Sequence, residues 1–213
     1  MLLRYVTQAV VILAISKLSW AQSSSLDELL KAVNDGQTQI VAGYLAKGLD
    51  PNTAGPDGST LLMTASRLGH QDLVLLLIER KASVVRRSPF GDTALMLAAS
   101  QGRLEVARIL VSHGALVNHD GWQPLHYAAF EGHPQMIRFL LERGAQKDAL
   151  APNGYSALML AARNGHVEAA RALLHADVDL TIKGPKGQTA LTIAQEKNAK
   201  DLIELLKRAG AVE

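Results

Sequence analysis

The feature that most constrains this chain is a glycine that returns at a nearly constant interval through most of its 213 residues. The intervals are 33, 30, 33 and 33 residues, and the glycines are Gly58, Gly91, Gly121, Gly154 and Gly187. Each glycine is followed by a short apolar run, a polar turn and a second apolar run. Two such runs predict a helical hairpin, and a hairpin of about thirty residues cannot bury its apolar face alone. The repetition therefore predicts an array of stacked helical hairpins.

Residues 120–149 show how each hairpin is built. Pro124 and Pro134 each suit the first turn of a helix, where a missing N–H leaves no bond unmade. Gly132 lies between the two apolar runs and separates the two helices. Gly144 follows the second run, at the position where a left-handed residue commonly ends a helix.

The same residues carry a resemblance to a known family, the ankyrin repeats. The matching stretches are Gln123-Pro124-Leu125-His126, Ala128-Ala129, Gly132-His133, Leu140-Leu141 and Gly144-Ala145, repeated loosely at Gly154-Tyr155-Ser156-Ala157-Leu158. The resemblance covers roughly residues 26–213. It implies an all-α ankyrin-repeat solenoid of stacked helix-turn-helix units, with β-turn or hairpin fingers and a concave face. It also implies a binding scaffold that is not an enzyme and needs no cofactor.

We expect a signal peptide at residues 1–21 and an ankyrin-repeat domain at residues 22–213. The units of that domain are a degenerate N-terminal repeat at 26–54, repeats at 55–87, 88–117, 118–150 and 151–183, and a C-terminal capping repeat at 184–213.

The first residues read as a secretory signal peptide. Arg4 precedes a mostly apolar stretch, and Ser19-Trp20-Ala21 places small residues at a cleavage site. The apolar run is shorter than the ~18 residues that a membrane span needs. We expect cleavage after Ala21 and export, most simply to a periplasm, with an uncleaved inner-membrane anchor as the alternative. In this respect the chain resembles exported ankyrin-repeat proteins of Gram-negative bacteria.

The charge balance excludes one class of partner. Arg4 and Lys17 belong to the signal segment, so the remaining chain has 20 basic residues against 20 acidic ones. A neutral chain without a basic face is not expected to bind nucleic acid. There is no cysteine, hence no disulfide and no thiolate zinc site. The mature form is expected to be monomeric and free of the membrane.

Two departures from the repeat pattern carry structural predictions. Lys81 and Asp177 stand where other repeats have glycine after the second helix. A left-handed conformation there costs on the order of 1 kcal/mol for a residue other than glycine. Between Ala115 and Gly121 three residues are missing, which shortens one finger beside Trp122. The stack is expected to bend or open at that point.

Clustered histidines raise the question of a metal or of general-base chemistry. Such chemistry needs several of them to converge with a carboxylate, but the spacing places them on different elements of the repeat. The resemblance implies that four bond the backbone, His70, His126, His133 and His166, whereas His113 and His119 match no such position. A metal-dependent enzyme that uses clustered histidines is therefore the minor alternative, and no metal is expected.

The resemblance implies partner contacts through the finger tips and the last turns of the first helices. Aromatic residues and arginine are enriched at the energetic centres of interfaces. The expected partner-binding residues are Trp122, Phe130, Tyr155, Arg163, Phe90, Arg67, Glu131 and Asn164. We expect the first four to form one patch across a repeat junction of the concave face, which binds another protein. The alternative function is an inhibitory or protective partner that masks an enzyme or a toxin.

Overall fold

The computed structural model describes residues 25–212, and over that range it is a series of paired helices joined by turns and fingers. The signal-peptide prediction, residues 1–21, lies outside this range. The first helix, α1, includes residues 25–34. The others are α2 (Thr38–Ala46), α3 (Leu61–Leu68), α4 (Gln71–Glu79), α5 (Ala94–Ser100), α6 (Leu104–Ser112), α7 (Pro124–Phe130), α8 (Pro134–Glu142), α9 (Ala157–Asn164), α10 (Val167–Leu174), α11 (Ala190–Glu196) and α12 (Lys200–Arg208).

Hydroxyl caps fix where the first helix of most repeats begins. The side chain of Thr93 accepts the Met96 N–H at 3.3 Å, and Ser156 does the same for Met159. Such a cap contributes about 1 kcal/mol because it satisfies a backbone donor that the helix cannot. Helix α7 differs, since Gln123 replaces the hydroxyl residue and Pro124 occupies the first turn.

The helices pack in two rows. The first helices of successive repeats (α3, α5, α7, α9, α11) form an inner row, and the second helices (α2, α4, α6, α8, α10, α12) form an outer row. Alanine pairs, including Ala128 and Ala129, are fully buried in the inner row, where small side chains permit close approach. One apolar core runs through the whole array. The prediction of an all-α solenoid is confirmed.

We number the fingers 1 to 5 by their glycines, Gly58, Gly91, Gly121, Gly154 and Gly187. Within residues 25–212 they contain no strand, only two isolated antiparallel bridges, Ala54 with Thr60 and Leu150 with Ser156. Lys81 (φ 70°) and Asp177 (φ 57°) are left-handed, as the sequence predicts. Asn198 (φ 54°) is a third such residue, which the sequence analysis did not identify. No helix in the described range is long and apolar enough to cross a membrane.

Candidate protein-binding face

The ends of the inner helices are fixed by side chains that reach back from the following repeat. The bonds join ring or guanidinium nitrogens to carbonyl oxygens: His70 Nε2 to Asn34 (2.9 Å), Arg103 Nε to Arg67 (3.3 Å), His133 Nε2 to Ser100 (2.9 Å) and His166 Nε2 to Phe130 (3.0 Å). The glycine of the inter-helix turn makes room for the ring: a β-carbon on Gly102 would lie 2.8 Å from His133 Nδ1. These three histidines and Arg103 therefore fix the ends of the inner helices to the following repeats.

His126 has a different structural role. It is buried, its Nδ1 accepts the Gln123 N–H at 3.1 Å, and its Nε2 donates to the Ala149 carbonyl at 2.9 Å. Burial holds the pKa of His126 below its ordinary value, which favours this neutral ring. In residues 25–212 no three His, Cys, Asp or Glu side chains are grouped so that they could hold a metal. The metal-dependent alternative thus has no support in the described part of the chain.

Trp122 packs against the inner helix of its own repeat. Its ring lies 5.5 Å from the Tyr127 ring and 5.9 Å, edge to face, from the His126 ring. Trp122 is consequently half-buried. Part of this side chain supports the finger and the remainder is available to a partner.

Tyr127 ties this cluster to the preceding finger, a contact that sequence reasoning missed. Its hydroxyl donates to Asp92 Oδ1 at 2.6 Å. Burial and then this hydrogen bond raise the pKa of Tyr127 well above its ordinary value, so the phenol stays protonated. The available signal was a tyrosine at a helix position where the other repeats carry Thr64, Leu97, Leu160 and Ile193.

Tyr155 and Arg163 form the second cluster of the face. The Arg163 guanidinium lies over the Tyr155 ring, 5.5 Å from its centroid, a cation–π arrangement. The Tyr155 hydroxyl accepts a hydrogen bond from Gln188 Nε2 of finger 5 at 3.0 Å. The ring is thereby held at both ends, and Arg163 remains exposed.

Phe130 connects the ends of α7 and α9. Its side chain is 38% exposed, and its carbonyl accepts the Asn164 Nδ2 bond at 2.7 Å as well as the His166 bond. Glu131 is exposed beside it. The described contacts form two clusters, Trp122 with Tyr127 and Tyr155 with Arg163, and Phe130 is exposed at the end of α7. That these residues form one patch stays a prediction.

The two remaining predicted residues lie farther along the array. Phe90, in finger 2, is 83% exposed and is the most exposed large apolar side chain among the described residues. Arg67 is exposed at the end of α3, and its carbonyl receives the Arg103 bond. The structure describes no side-chain contact that joins either residue to the two clusters.

Comparison with known proteins identifies the repeats. Residues 82–151 and 145–212 match the family described as ankyrin repeats (3 copies), and residues 57–88 match a single ankyrin repeat. The crystal structure of the ankyrin repeat domain of human ASB11 superimposes with a TM-score of 0.81, at 24% identity, covering 86% of this chain and 84% of that one. That likeness concerns the fold alone.

Curated relatives share parts of the chain. Human protein phosphatase 1 regulatory subunit 27 is 38% identical over 78 residues, which are 35% of this chain and 51% of that protein. Glycerophosphocholine phosphodiesterase GDE1 of Candida albicans is 34% identical over 122 residues, which are 54% of this chain and 10% of that protein. The matched portion thus spans at most about half of these relatives. Both are eukaryotic, so they give no support to the resemblance to exported bacterial proteins.

Ankyrin repeats form protein–protein interaction scaffolds. The phosphodiesterase match is too small a part of that protein to carry its activity across. With matches through residues 57–212, the chain belongs to the ankyrin-repeat family.

Proposed function

We propose that this chain recognises one partner protein through the concave face formed by fingers 2 to 4 and the ends of α5, α7 and α9. The observation that carries the proposal is the position of Phe130. Phe130 has an exposed aromatic side chain at the end of α7. Its backbone carbonyl accepts two hydrogen bonds from the next repeat, which fix its position. Tyr155 and Arg163 contact each other, and the Tyr155 hydroxyl is bonded to Gln188 of finger 5. A preorganised aromatic–arginine surface costs little ordering entropy on binding.

The test begins with affinity capture, using the chain as bait in an envelope extract, followed by calorimetry with the captured protein. Phe130→Ala and Arg163→Ala are each expected to weaken binding by about 1–2 kcal/mol, and Trp122→Ala by about 2 kcal/mol. Glu142→Ala, at an exposed position on α8 in the outer row, is the matched control and should leave the affinity unchanged. Wild-type affinity in both the Phe130 and Trp122 variants would exclude this face. Because the contacts are mainly aromatic, we expect weak salt dependence.

We also propose export from the cytoplasm, on the strength of the sequence pattern at residues 1–21 alone. If the segment is a cleaved signal peptide, intact-mass measurement should give a chain that begins at or near Gln22. A mass that retains residues 1–21 in the membrane fraction would instead support the uncleaved anchor. The exported chain is proposed to be monomeric, which size-exclusion chromatography with light scattering would check.

A second candidate is a partner that masks an enzyme. It is favoured by the relative whose name is a regulatory subunit of protein phosphatase 1. If the captured partner is an enzyme, adding the chain should lower its activity in proportion to occupancy, and the Phe130→Ala variant should need a higher concentration to do so. If the activity of that enzyme is unchanged when the chain is present at saturating concentration, the masking function is excluded and a general scaffold remains.

A further inference from the structure

Helix α7 begins with a hydrogen bond whose acceptor differs from that of the other inner helices. In four of these helices, the backbone N–H just before the helix donates to the side chain three residues later. The acceptors in three of them are Met63 Sδ (3.4 Å), Met96 Sδ (3.4 Å) and Thr192 Oγ1 (2.7 Å). In α7 the acceptor is His126 Nδ1, which receives the Gln123 N–H at 3.1 Å. Of the four acceptors, only the histidine takes up a proton near neutral pH.

The two hydrogen bonds of the His126 ring permit a single protonation state. A backbone N–H can only donate, and a backbone carbonyl can only accept. Nδ1 faces the Gln123 N–H and must carry a lone pair, whereas Nε2 faces the Ala149 carbonyl at 2.9 Å and must carry the hydrogen. A proton added to Nδ1 would set two N–H groups against each other. Because His126 is 1% exposed, solvent cannot replace the lost partner unless the structure opens locally.

The Gln123 bond fixes the peptide group that joins finger 3 to α7. The Gln123 N–H and the Trp122 carbonyl belong to one planar peptide unit, and the Trp122 ring lies edge to face on the His126 ring at 5.9 Å. The Gln123 side chain cannot cap the helix instead, because its Nε2 donates to the His119 carbonyl at 3.0 Å and to Gln146 Oε1 at 3.3 Å. Loss of the bond would therefore release the base of finger 3.

The groups around His126 leave a proton on its ring without a counter-charge. Burial lowers the pKa of His126, the Ala149 carbonyl partly offsets this, and no charged group in the described range contributes. Helix α5 contains no titratable residue, and α9 contains only Arg163, in its last turn. The charged side chains of α8 and α10 are all exposed: Arg138, Glu142, Glu168 and Arg171.

Fingers 3 and 4 hold the other titratable groups near this end of α7. Burial, and then the charge of Arg87, lower the pKa of His119, while the Leu116 carbonyl and Asp120 act in the opposite direction. In finger 4, Lys147 and Asp148 are bonded to backbone groups of the following repeat. His119 is thus the second histidine that a test must separate from His126.

We propose that His126 makes the concave binding face sensitive to acid: a proton on its Nδ1 breaks the Gln123 bond, loosens the base of finger 3 and frees Trp122 from its position. This inference deepens the proposed function and rests on it, because it concerns regulation of the same face. The bond to Ala149 survives, since a protonated ring still donates from Nε2. The change is therefore confined to finger 3, and partner binding weakens as the pH falls.

The lowered pKa of His126 sets the direction of this effect. When the Gln123 bond is open, the ring titrates near its ordinary pKa of 6.5, whereas the closed structure resists the proton. The stability that the closed structure gains is complete above about pH 6.5. It falls with the pH, by up to about tenfold in the closing equilibrium per pH unit, until the pKa of the closed structure is reached.

The test compares the ¹⁵N-labelled full chain with His126→Met, which installs the acceptor of the caps at Thr60 and Thr93. The Gln123 amide and the Trp122 indole signals are followed from pH 7.5 to pH 5. We also measure the protection of the Gln123 amide against hydrogen exchange, corrected for the intrinsic rate. His126→Thr, which copies Thr192, is a second variant whose acceptor does not titrate.

In the unaltered chain, protection at Gln123 should be about tenfold lower at pH 5.5 than at pH 7.5. The two signals should shift together below pH 6.5, or stay in place if the proton enters only the open state. Both His126 variants should lose this pH dependence, and His119→Gln, the matched control, should keep it. Unchanged protection with unshifted signals, or the same pH dependence in the His126 variants, would overturn the proposal.

Affinity for the captured partner at pH 7.5 and pH 5.5 tests the regulatory consequence. The unaltered chain should lose about tenfold more affinity on acidification than His126→Met. Equal losses would show that the pH dependence of binding arises elsewhere and would overturn the regulatory role. Wild-type affinity of the Phe130 and Trp122 variants would exclude the concave face itself, whereas the exchange experiment on Gln123 needs no partner and reports on His126 alone.

Discussion

Two helix ends hold a side chain in a backbone conformation that favours glycine. Lys81 and Asp177 have φ values of 70° and 57°, and each follows the outer helix of its repeat. Their siblings Gly48, Gly114 and Gly144 do the same with φ between 83° and 93°. The cost of the left-handed region comes from the β-carbon, which glycine lacks. The two positions are therefore local sources of strain that stacking with neighbouring repeats offsets.

We predict that Lys81→Gly and Asp177→Gly each stabilise the array by about 0.5–1 kcal/mol. The relief of strain exceeds the entropy that glycine adds to the unfolded chain. The measurement is the urea midpoint at unchanged slope. Gly144→Lys is the matched reverse change, because nothing lies within 4 Å of a β-carbon there, and it should destabilise. Loss of stability in both glycine variants would show that Lys81 and Asp177 make contacts that outweigh the strain.

The sequence predicted those features of the structure that depend only on which residue type occupies a given position of the repeat. The left-handed backbone at Lys81 and the shortened finger 3 were predictable because each repeat places the same residue type at the same position. The backbone bond of His133 was expected from the resemblance to ankyrin repeats. The Tyr127–Asp92 bond was not predictable in this way, since it joins residues of different repeats and depends on the register of stacking. The contact of Trp122 with Tyr127 was not predictable from the repeat either, because it depends on how the finger folds back on its own helix. That Trp122 and Phe130 share one patch stays a prediction.

The fingers are linked by a repeated side-chain bond that fails once. Asn52, Asn118 and Asp148 each accept an N–H of the following finger, whereas Val85 cannot. The sequence shows that Val85 replaces an Asn or Asp. That this replacement removes a bond between fingers could be recognised only from the structure, where the other junctions make the bond. A backbone N–H left without a protein acceptor must be satisfied by water or by a ligand.

In finger 3 the backbone N–H that corresponds to the donors of the other junctions belongs to Leu116. We predict that Val85→Asn stabilises the array by about 0.5–1.5 kcal/mol, because the new side chain supplies an acceptor for that N–H. Val85 is 48% exposed, so little apolar burial is lost. The urea midpoint should rise, and the Leu116 amide should exchange more slowly with deuterium. Asp148→Val, which removes the equivalent bond to the Asp179 N–H of finger 5, is the matched control and should lower the midpoint. An unchanged midpoint and unchanged exchange at Leu116 would show that the new side chain does not reach the N–H.

The array as a whole is least tightly connected at one junction. Between fingers 2 and 3 no side chain packs on the finger glycine, Gly91, whereas a proline of the next finger lies near the glycine of fingers 1, 3 and 4. The Asn or Asp bond of the other junctions is also missing there, and α6 lies less closely against α8 than α8 does against α10. The inner row remains continuous there, because α5 packs on α7 and two bonds still cross, His133 to Ser100 and Tyr127 to Asp92. In a solenoid, stability is approximately a sum over repeats and nearest-neighbour interfaces, so one weak interface divides the array into two blocks.

We predict that native-state hydrogen exchange resolves these blocks. Amides of α3 and α5 lie on the N-terminal side, and those of α9 and α11 lie on the C-terminal side. The opening free energy measured for α3 and α5 should be about 1–2 kcal/mol lower than that for α9 and α11. This is the magnitude expected for one lost hydrogen bond together with reduced helix contact. The N-terminal side should open first because the less regular first repeat belongs to it. The Val85→Asn variant, which supplies the missing acceptor between these fingers, should bring the two opening free energies closer together. A single opening free energy for all four helices in the unaltered chain would mean that the inner row alone makes the array cooperative, despite the gap between the fingers.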